Sequence, residues 1–337
     1  MNAPVGHLRL RGRIELGDYP VDAAWSPDGN AAIVACGAGS LVLLTIEPVL
    51  RAEPIGAHAD GALAVSWQKA GNLFASSGQD GAVLLWDVRT RQSRAIHTGT
   101  QWCEHLAFAN DGRTLAVACG RRLQLFDASG ELRHSFEPHA GVIAALSWRP
   151  RSNEIAAAGN GGVRIHRVGP QTGSRDYPWR GACLTASWNA DGRVLACGMQ
   201  DGSVHLWYVA SGTQSQMDGY GSKVLATGWG ASGRYLATTA GNVVIVWDFS
   251  GKGPEGSVPI ELRSHSERIS ALACRPTGNW LVSAARDRRL LLWRIGGGDA
   301  PQDAHLLADE CTLLRYSRDG ERLAVGDARG GVSLFDC

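Results

Sequence analysis

A phrase of about forty residues, written eight times over, leaves this chain few folds to adopt. Each copy has an apolar strand closing on an anchor residue, a turn rich in Pro, Asp, Asn or Gly, a second short strand, and a third ending at or near Trp-Asp. The anchors are Trp25, Trp67, Phe108, Trp148, Trp188, Trp229, Cys274 and Tyr316, with successive spacings of 42, 41, 40, 40, 41, 45 and 42. A unit of that length with several strands cannot bury its own apolar face, so the units must stack in a line or a ring. The repeats fill the chain, so residues 1–337 read as one domain.

Within a unit the apolar period is two, the alternation of half-buried strands. Leu84-Leu85-Trp86-Asp87, Ile245-Val246-Trp247-Asp248 and Leu334-Phe335-Asp336 are third strands rich in branched and aromatic residues, bounded by glycine-containing turns. No long stretch has a 3.6-residue period. The chain therefore reads as all-β, with about four short strands per repeat.

At these residues the chain resembles the WD40-repeat β-propellers, and the resemblance extends over nearly its whole length. The second repeat has the pattern in full: His58 nine residues before Trp67, then Ser76, Asp80 and Trp86-Asp87. The seventh repeats it with His265, Ser283, Asp287 and Trp293. The resemblance implies that these eight side chains form structural relays, His to Asp and Ser to the Trp indole, which stabilise a blade only when every buried polar member is satisfied. Repeat four keeps His139 but has Asn160 and His166 where Asp and Trp would stand. Repeat five has Asp201 and Trp207 without the His. Repeats one, three, six and eight are expected to rely on apolar packing, including the first-strand Trp residues. The chain ends on a third strand, Gly331 to Asp336, and Leu8 to Leu16 precede the first repeat. By the family's usual solution the N-terminal strand completes the C-terminal blade, which removes an exposed edge. Eight closed four-stranded blades follow, with a seven-bladed ring as the alternative.

Charge narrows the partners. With 33 basic and 32 acidic residues the net charge is +1, which supplies no electrostatic footprint for nucleic acid or anionic lipid. Neither nucleic acid nor membrane is expected as a partner. The apolar runs are strand-sized and residues 1–16 lack the apolar core of a secretory leader, so a cytoplasmic protein is expected.

Eight cysteines do not imply a disulfide framework in that compartment. Cys103, Cys183 and Cys311 lie five residues before their anchors, while Cys36, Cys119 and Cys197 lie at second-strand ends just before a glycine. Repeat three thus places Cys103 near Cys119, and repeat five Cys183 near Cys197. One reading makes these thiols, with Glu104 and His105, ligands for zinc or copper(I), although no CxxC or HxxxH fixes the geometry. The other makes each a small buried hydrophobe. His97, His134 and His305 read as solvated outer-strand or linker residues.

No GxSxG, P-loop or HExxH sequence is present, and no catalytic residue or cofactor is assigned. Binding remains. The resemblance places a top face at the loops before the first strands and between second and third strands. Its exposed positions are Tyr19, Trp102, Lys223, Arg268 and Glu310, six residues before their anchors; Glu104, Ser270 and Thr312, four before; and Gln79, Gln200 and Arg286, each preceding its turn Asp or the equivalent. Trp102 stands out, because the repeat does not require an aromatic there, and buried aromatics and arginines dominate interface energies. Trp179 is a second aromatic, in the His register of the relay. Gly169 to Asp176, Phe249 to Pro259 and Gly296 to Asp303 read as loops on the opposite face. The expected function is a non-enzymatic scaffold binding a protein or peptide at the top face. The alternatives are a metal-handling accessory protein using the cysteines, and a small-molecule-binding or lyase-like propeller using Glu104, His105 and Asp22.

Overall fold

The computed structural model describes residues 6–251 and 253–337. Among them every regular element is a strand. Blade two shows how the sequence builds one unit: Ala62–Trp67, Leu73–Gly78, Ala82–Asp87 and Gln92–Thr98 pair in that order as an antiparallel meander. The second strand is buried almost throughout and the fourth is largely exposed. Small and branched residues follow that gradient. Second strands such as Ala31–Cys36 and Thr114–Cys119 are nearly continuous apolar runs because both of their faces are covered. Between first and second strands the turn closes on a glycine with φ of 69° at Gly29, 69° at Gly112 and 71° at Gly192, a left-handed conformation that costs glycine nothing.

Eight is the blade number. The first strands, beginning with Pro20–Trp25 and ending with Cys311–Tyr316, touch one another in a closed cycle in which blade one meets blade two on one side and blade eight on the other. Eight apolar clusters accompany them among the described residues, and each lies between two adjacent blades. One joins Ile33 and Leu41 of blade one to Phe74 and Trp86 of blade two; another joins Trp25 and Leu44 of blade one to Leu313 and Leu334 of blade eight. The core is therefore a ring of inter-blade interfaces.

Closure follows the expected scheme. Arg9–Glu15 pairs antiparallel with Gly331–Asp336, matching Ile14 to Val332 and Gly12 to Leu334, and the eighth sheet is completed by Arg322–Asp327 and Cys311–Tyr316. Blade four differs in appearance only. Glu154–Arg167 runs as a single 14-residue element, but it folds back at Gly161 and Gly162 (φ 92° and 115°), and the Val168 N–H donates to Asn153 O at 2.9 Å to close the hairpin. Its two legs serve as second and third strands. The outer strand of that blade begins earlier than expected, because Gly173 to Asp176 belong to Gly173–Ala182 and not to the preceding loop.

The first-strand tryptophans do more than pack. Trp25 Nε1 donates to Arg315 O at 3.1 Å, Trp148 Nε1 to Ala107 O at 3.0 Å, Trp188 Nε1 to Ser147 O at 3.0 Å and Trp229 Nε1 to Ser187 O at 3.1 Å. In each case the acceptor is the first strand of the preceding blade, so a buried indole N–H is satisfied and two blades are joined by one bond.

Removing residues 1–16 takes away the outer strand of blade eight and bares Gly331–Asp336. The expected outcome is a Tm lower by roughly 3 °C or more, as the loss of about 2 kcal/mol gives in a chain of this size, with concentration-dependent association through the unpaired edge. Calorimetry and light scattering check it; a truncated chain that stays monomeric with an unchanged Tm would refute ring closure by this strand.

Candidate interaction face

The rim assigned to binding is built by one repeated backbone bond. The N–H of the residue after the second strand donates to the carbonyl six residues before the anchor: Gly37 to Tyr19 at 2.9 Å, Gln79 to Gly61 at 2.7 Å, Gly120 to Trp102 at 3.2 Å, Gln200 to Ala182 at 3.0 Å, Arg286 to Arg268 at 3.0 Å and Ala328 to Glu310 at 2.9 Å. Two sets of positions separated by some eighteen residues in sequence are thus brought together on one rim.

Four large apolar side chains stand exposed there. Tyr19 is 47 % exposed, Trp102 50 %, Val142 52 % and Leu225 42 %. Val142 and Leu225 were missed in sequence, although they occupy the same registers as Trp102 and Glu104, six and four residues before their anchors. Looking for large apolar residues throughout both registers would have found them. Tyr19 lies with its ring across Gly37, where any β-carbon would collide with it. Gln200, Lys223, Arg268, Thr312 and Arg286 are exposed, while Gln79, Glu104, Ser270 and Glu310 are half-buried. Arg286 and Glu310 pair with each other at 3.1 Å, and Arg329 pairs with Asp309 at 3.1 Å. The face therefore has an apolar arc over blades one, three, four and six and a charged sector over blades seven and eight. Toward the channel, Asp22 is already engaged: it accepts from Arg315 at 2.9 Å and from the Val65 N–H at 3.0 Å. Burial pushes the His105 imidazole below its ordinary pKa against the opposing pull of Glu104 and Asp22.

The relay residues lie inside the blades, with Asp80 and Asp287 directly after the rim residues Gln79 and Arg286. In blade two His58 Nδ1 faces both Asp80 carboxylate oxygens at 3.1 Å, His58 Nε2 meets Ser76 Oγ at 2.9 Å, and Trp86 Nε1 donates to the same Oγ at 2.9 Å. Blade seven repeats this with His265, Asp287, Ser283 and Trp293 at 2.8 to 3.2 Å. Burial would raise the Asp80 carboxyl, but N–H donors from Ala82 and Ala59, together with His58, hold it below the usual range.

Blades four, five and six depart from expectation. Blade six keeps a relay by other means: Tyr220, nine residues before Trp229, bonds Thr238 Oγ1 at 3.0 Å and accepts from Trp247 Nε1 at 2.7 Å. The phenol replaces imidazole, and threonine replaces serine. In blade four His139 Nε2 meets His166 Nε2 at 3.0 Å, and His166 Nδ1 meets Ser174 Oγ at 2.8 Å. In blade five Trp179 stacks on His205 with ring centroids 3.8 Å apart, and His205 lies against Trp207 at 4.3 Å. There Trp179 Nε1, His205 Nδ1 and Trp207 Nε1 are buried with no hydrogen-bond partner among the described residues.

The cysteines require two corrections. Cys103 and Cys119 form a disulfide instead of standing as separate buried thiols. They meet because the residue five before the anchor opposes the end of the second strand, as Ala62 opposes Gly78 and Cys311 opposes Asp327. Cys197 does not share the register of Cys119. Cys183 bridges Met199, and Leu195 opposes Trp207 as Phe74 opposes Trp86, so Cys197 stands where the relay serine does. Burial pushes its thiol well up, with Cys183 beside it adding to the shift. Among the described residues the cluster of metal-ligand type is His97, Cys103 and Cys119; Glu104, His105, Cys183 and Cys197 do not join it. His97, expected to be solvated, is half-buried.

Two outcomes follow for stability. Tyr220→Phe deletes the hydroxyl shared by Thr238 and Trp247, and should cost about 1–3 kcal/mol by leaving buried donors unmatched; an unchanged denaturation midpoint would show the relay to be energetically silent. The second concerns pH. Burial lowers His97, His105, His205 and His265, and lowers His139 to about 4 and His166 to about 3. A lowered folded-state pKa means that the unfolded chain takes up protons first, near its ordinary value of about 6.5. Stability is then full above that value and declines as pH falls toward 4. A Tm that stays flat or rises from pH 7 to pH 4.5 would contradict this assignment.

Comparison with known proteins agrees with the geometry. Residues 51–87, 179–208 and 256–294, each running from the outer strand of one blade through the third strand of the next (blades two, five and seven), match the family described as WD domain, G-beta repeat. The chain is 23 % identical over 305 residues to the WD repeat-containing protein slp1 of Schizosaccharomyces pombe, covering 88 % of this chain and 54 % of that protein. It is 22 % identical to the meiotic fizzy-related protein 1 of the same organism, covering 86 % and 60 %. It is also 22 % identical to the anaphase-promoting complex subunit cdc20 of Dictyostelium discoideum, covering 82 % and 49 %. The chain thus spans about half to three fifths of the length of these relatives. In structure it matches the computationally designed Ika8 protein with a TM-score of 0.79 and 19 % identity, over 98 % of both chains. The chain is thus an eight-bladed β-propeller in which three stretches match the WD repeat and two blades carry the full His–Asp–Ser–Trp relay.

Proposed function

We propose that this propeller is a non-catalytic scaffold that holds a protein or peptide partner on the rim bearing Tyr19, Trp102, Val142 and Leu225. The observation that carries the reading is the exposure of these four side chains, each between 42 % and 52 %, at positions the repeat does not require to be apolar. Apolar groups on one rim lose water together when a partner docks, and an aromatic such as Trp102 brings large contact area with few rotatable bonds. The charged sector, with Arg268 and the Arg286–Glu310 pair and with Lys223 of blade six at its border, would set orientation and encounter rate more than affinity. Relatives named as a subunit or a cofactor of the anaphase-promoting complex make association with other proteins the natural class of activity, without naming a partner for this chain.

The test compares capture of host proteins by the wild-type chain, by a Trp102→Ala/Val142→Ser variant, and by a Leu306→Ser control on the outer strand of blade seven, where Leu306 is 72 % exposed. All three should fold alike. A partner held by wild type and control but at least tenfold depleted from the rim variant supports the reading; partners retained equally by all three would refute it.

A further inference from the structure

We infer that His97, Cys103 and Cys119 form a redox-gated site for a thiophilic metal ion, open when the disulfide is reduced and closed when it forms. The site lies between blades two and three. Gln92–Thr98, the fourth strand of blade two, contributes His97; Cys103 lies two residues before the first strand of blade three, His105–Phe108, and Cys119 ends its second, Thr114–Cys119. The Nδ1 or Nε2 of the histidine and the two sulfurs all lie within 4.8 Å of one another.

The repeat does not demand this triad. At the same opposed pair of positions other blades have Pro20 with Cys36, Ala62 with Gly78, or Ile143 with Gly159. Blade three pairs two cysteines there, and the neighbouring outer strand turns an imidazole toward them. Cys103 is fully buried and Cys119 is 5 % exposed, while His97 is half-buried, so the histidine side is the side open to solvent.

The chemistry suits a soft ion. Reduction by a dithiol proceeds by exchange: a dithiol thiolate attacks one sulfur, the Cys103–Cys119 bond breaks, and the reductant leaves as its cyclic disulfide. Two electrons and two protons are thereby delivered to the protein as two thiols. The freed sulfurs separate to non-bonded contact. That is close to the spacing set by a tetrahedral ion, in which bonds of about 2.3 Å to sulfur and about 2.0 Å to nitrogen place ligand atoms about 3.5–3.8 Å apart. Binding then releases the two thiol protons to solvent and leaves a dithiolate–imidazole complex. Three protein ligands suffice for trigonal copper(I), or for zinc with a fourth position taken by water. A disulfide oxidant reverses the exchange: it takes up the two electrons and leaves as thiols while the Cys103–Cys119 bond re-forms, which removes both thiolates at once and expels the ion.

The experiment uses the full chain, reduced with a dithiol and desalted without oxygen, then titrated separately with Zn2+, with Co2+ as its spectroscopic stand-in, and with Cu+ held by a competing chelator. One equivalent of Zn2+ or Cu+ should bind, with thiolate-to-cobalt charge-transfer absorption in the Co2+ arm. The oxidised chain should bind at least a hundredfold more weakly, and His97→Gln at least tenfold more weakly than wild type. So that no cysteine variant is needed, the thiols are also read in the wild-type chain: bound metal should slow alkylation of Cys103 and Cys119 at least tenfold, measured by peptide mass spectrometry, and leave Cys337 unaffected. Failure of both ions to bind stoichiometrically, equal binding by the oxidised chain, unchanged affinity in folded His97→Gln, or no protection of the two thiols would each overturn the proposal.

Discussion

No blade of this propeller can cover its own apolar face, and every other feature answers to that constraint. A four-stranded antiparallel sheet has two sides, and here both sides of the inner strands are apolar. The only available cover is the next blade, so the core is distributed among eight interfaces and none is complete until the ring closes. This is why Arg9–Glu15 must pair with the C-terminal strand. It also explains the tryptophans: an indole is large enough to fill the wedge between two diverging sheets, and its N–H finds a carbonyl across that wedge. Interfaces of this nearest-neighbour kind make stability a sum of similar local terms, so single blades can vary without loss of the whole.

That tolerance is visible in the relays. The His–Asp–Ser–Trp chain of blades two and seven joins three strands through a fully satisfied polar network. Blade six reaches the same end with a tyrosine hydroxyl, and blade four with a pair of histidines. Blade five relies on an aromatic stack, keeps a bond between His205 Nε2 and Gln214 Oε1, and leaves three buried nitrogens without protein partners among the described residues. The common requirement is that a flat ring fill the space before the first strand; hydrogen-bond chemistry is secondary where stacking is tight enough.

Much of this was legible in the residues. Anchor spacing and period-two alternation dictate the blades, and a surplus strand at one end with a missing strand at the other dictates closure. What escaped the sequence did so for physical reasons. Tyr220 stands in the histidine register and Thr238 in the serine register, but neither residue type fits the pattern, and a second-to-third-strand hairpin one residue shorter puts Trp247 nine residues after Thr238 where Trp86 follows Ser76 by ten. Cys197 was misplaced for another reason: a cysteine before a glycine looks alike in two registers, and the count from the anchor, nine residues for Cys197 against eleven for Cys36 and Cys119, is what separates them. The juxtaposition of His97 with Cys103 and Cys119 crosses from one blade's outer strand to the next blade's inner strands, a distance that no local pattern records. On the rim, Val142 and Leu225 are ordinary strand residues by type. Their place six and four residues before the anchors is the one sequence signal, and it gains meaning from their exposure.

The departures from the repeat sort into two kinds by where they fall. Those inside a blade, at Tyr220, His166 and Trp179, replace one way of filling space with another and leave the surface unchanged. Those at the rim cannot be explained by filling, because Trp102 and Val142 are each about half exposed and the neighbouring repeats manage with glycine, alanine or charge at the same positions. Burying apolar area stabilises a fold by roughly 25 cal/mol per Å2, and a side chain left half in water forgoes much of that gain. A site that forgoes it repeatedly around one mouth is better suited to a surface that something else covers than to the fold itself. The disulfide stands immediately behind Trp102 and ties the segment bearing it to the end of the second strand of the same blade. The most exposed aromatic of the rim is thereby held on a backbone fixed from both sides, the arrangement expected where a contact residue must be positioned before its partner arrives.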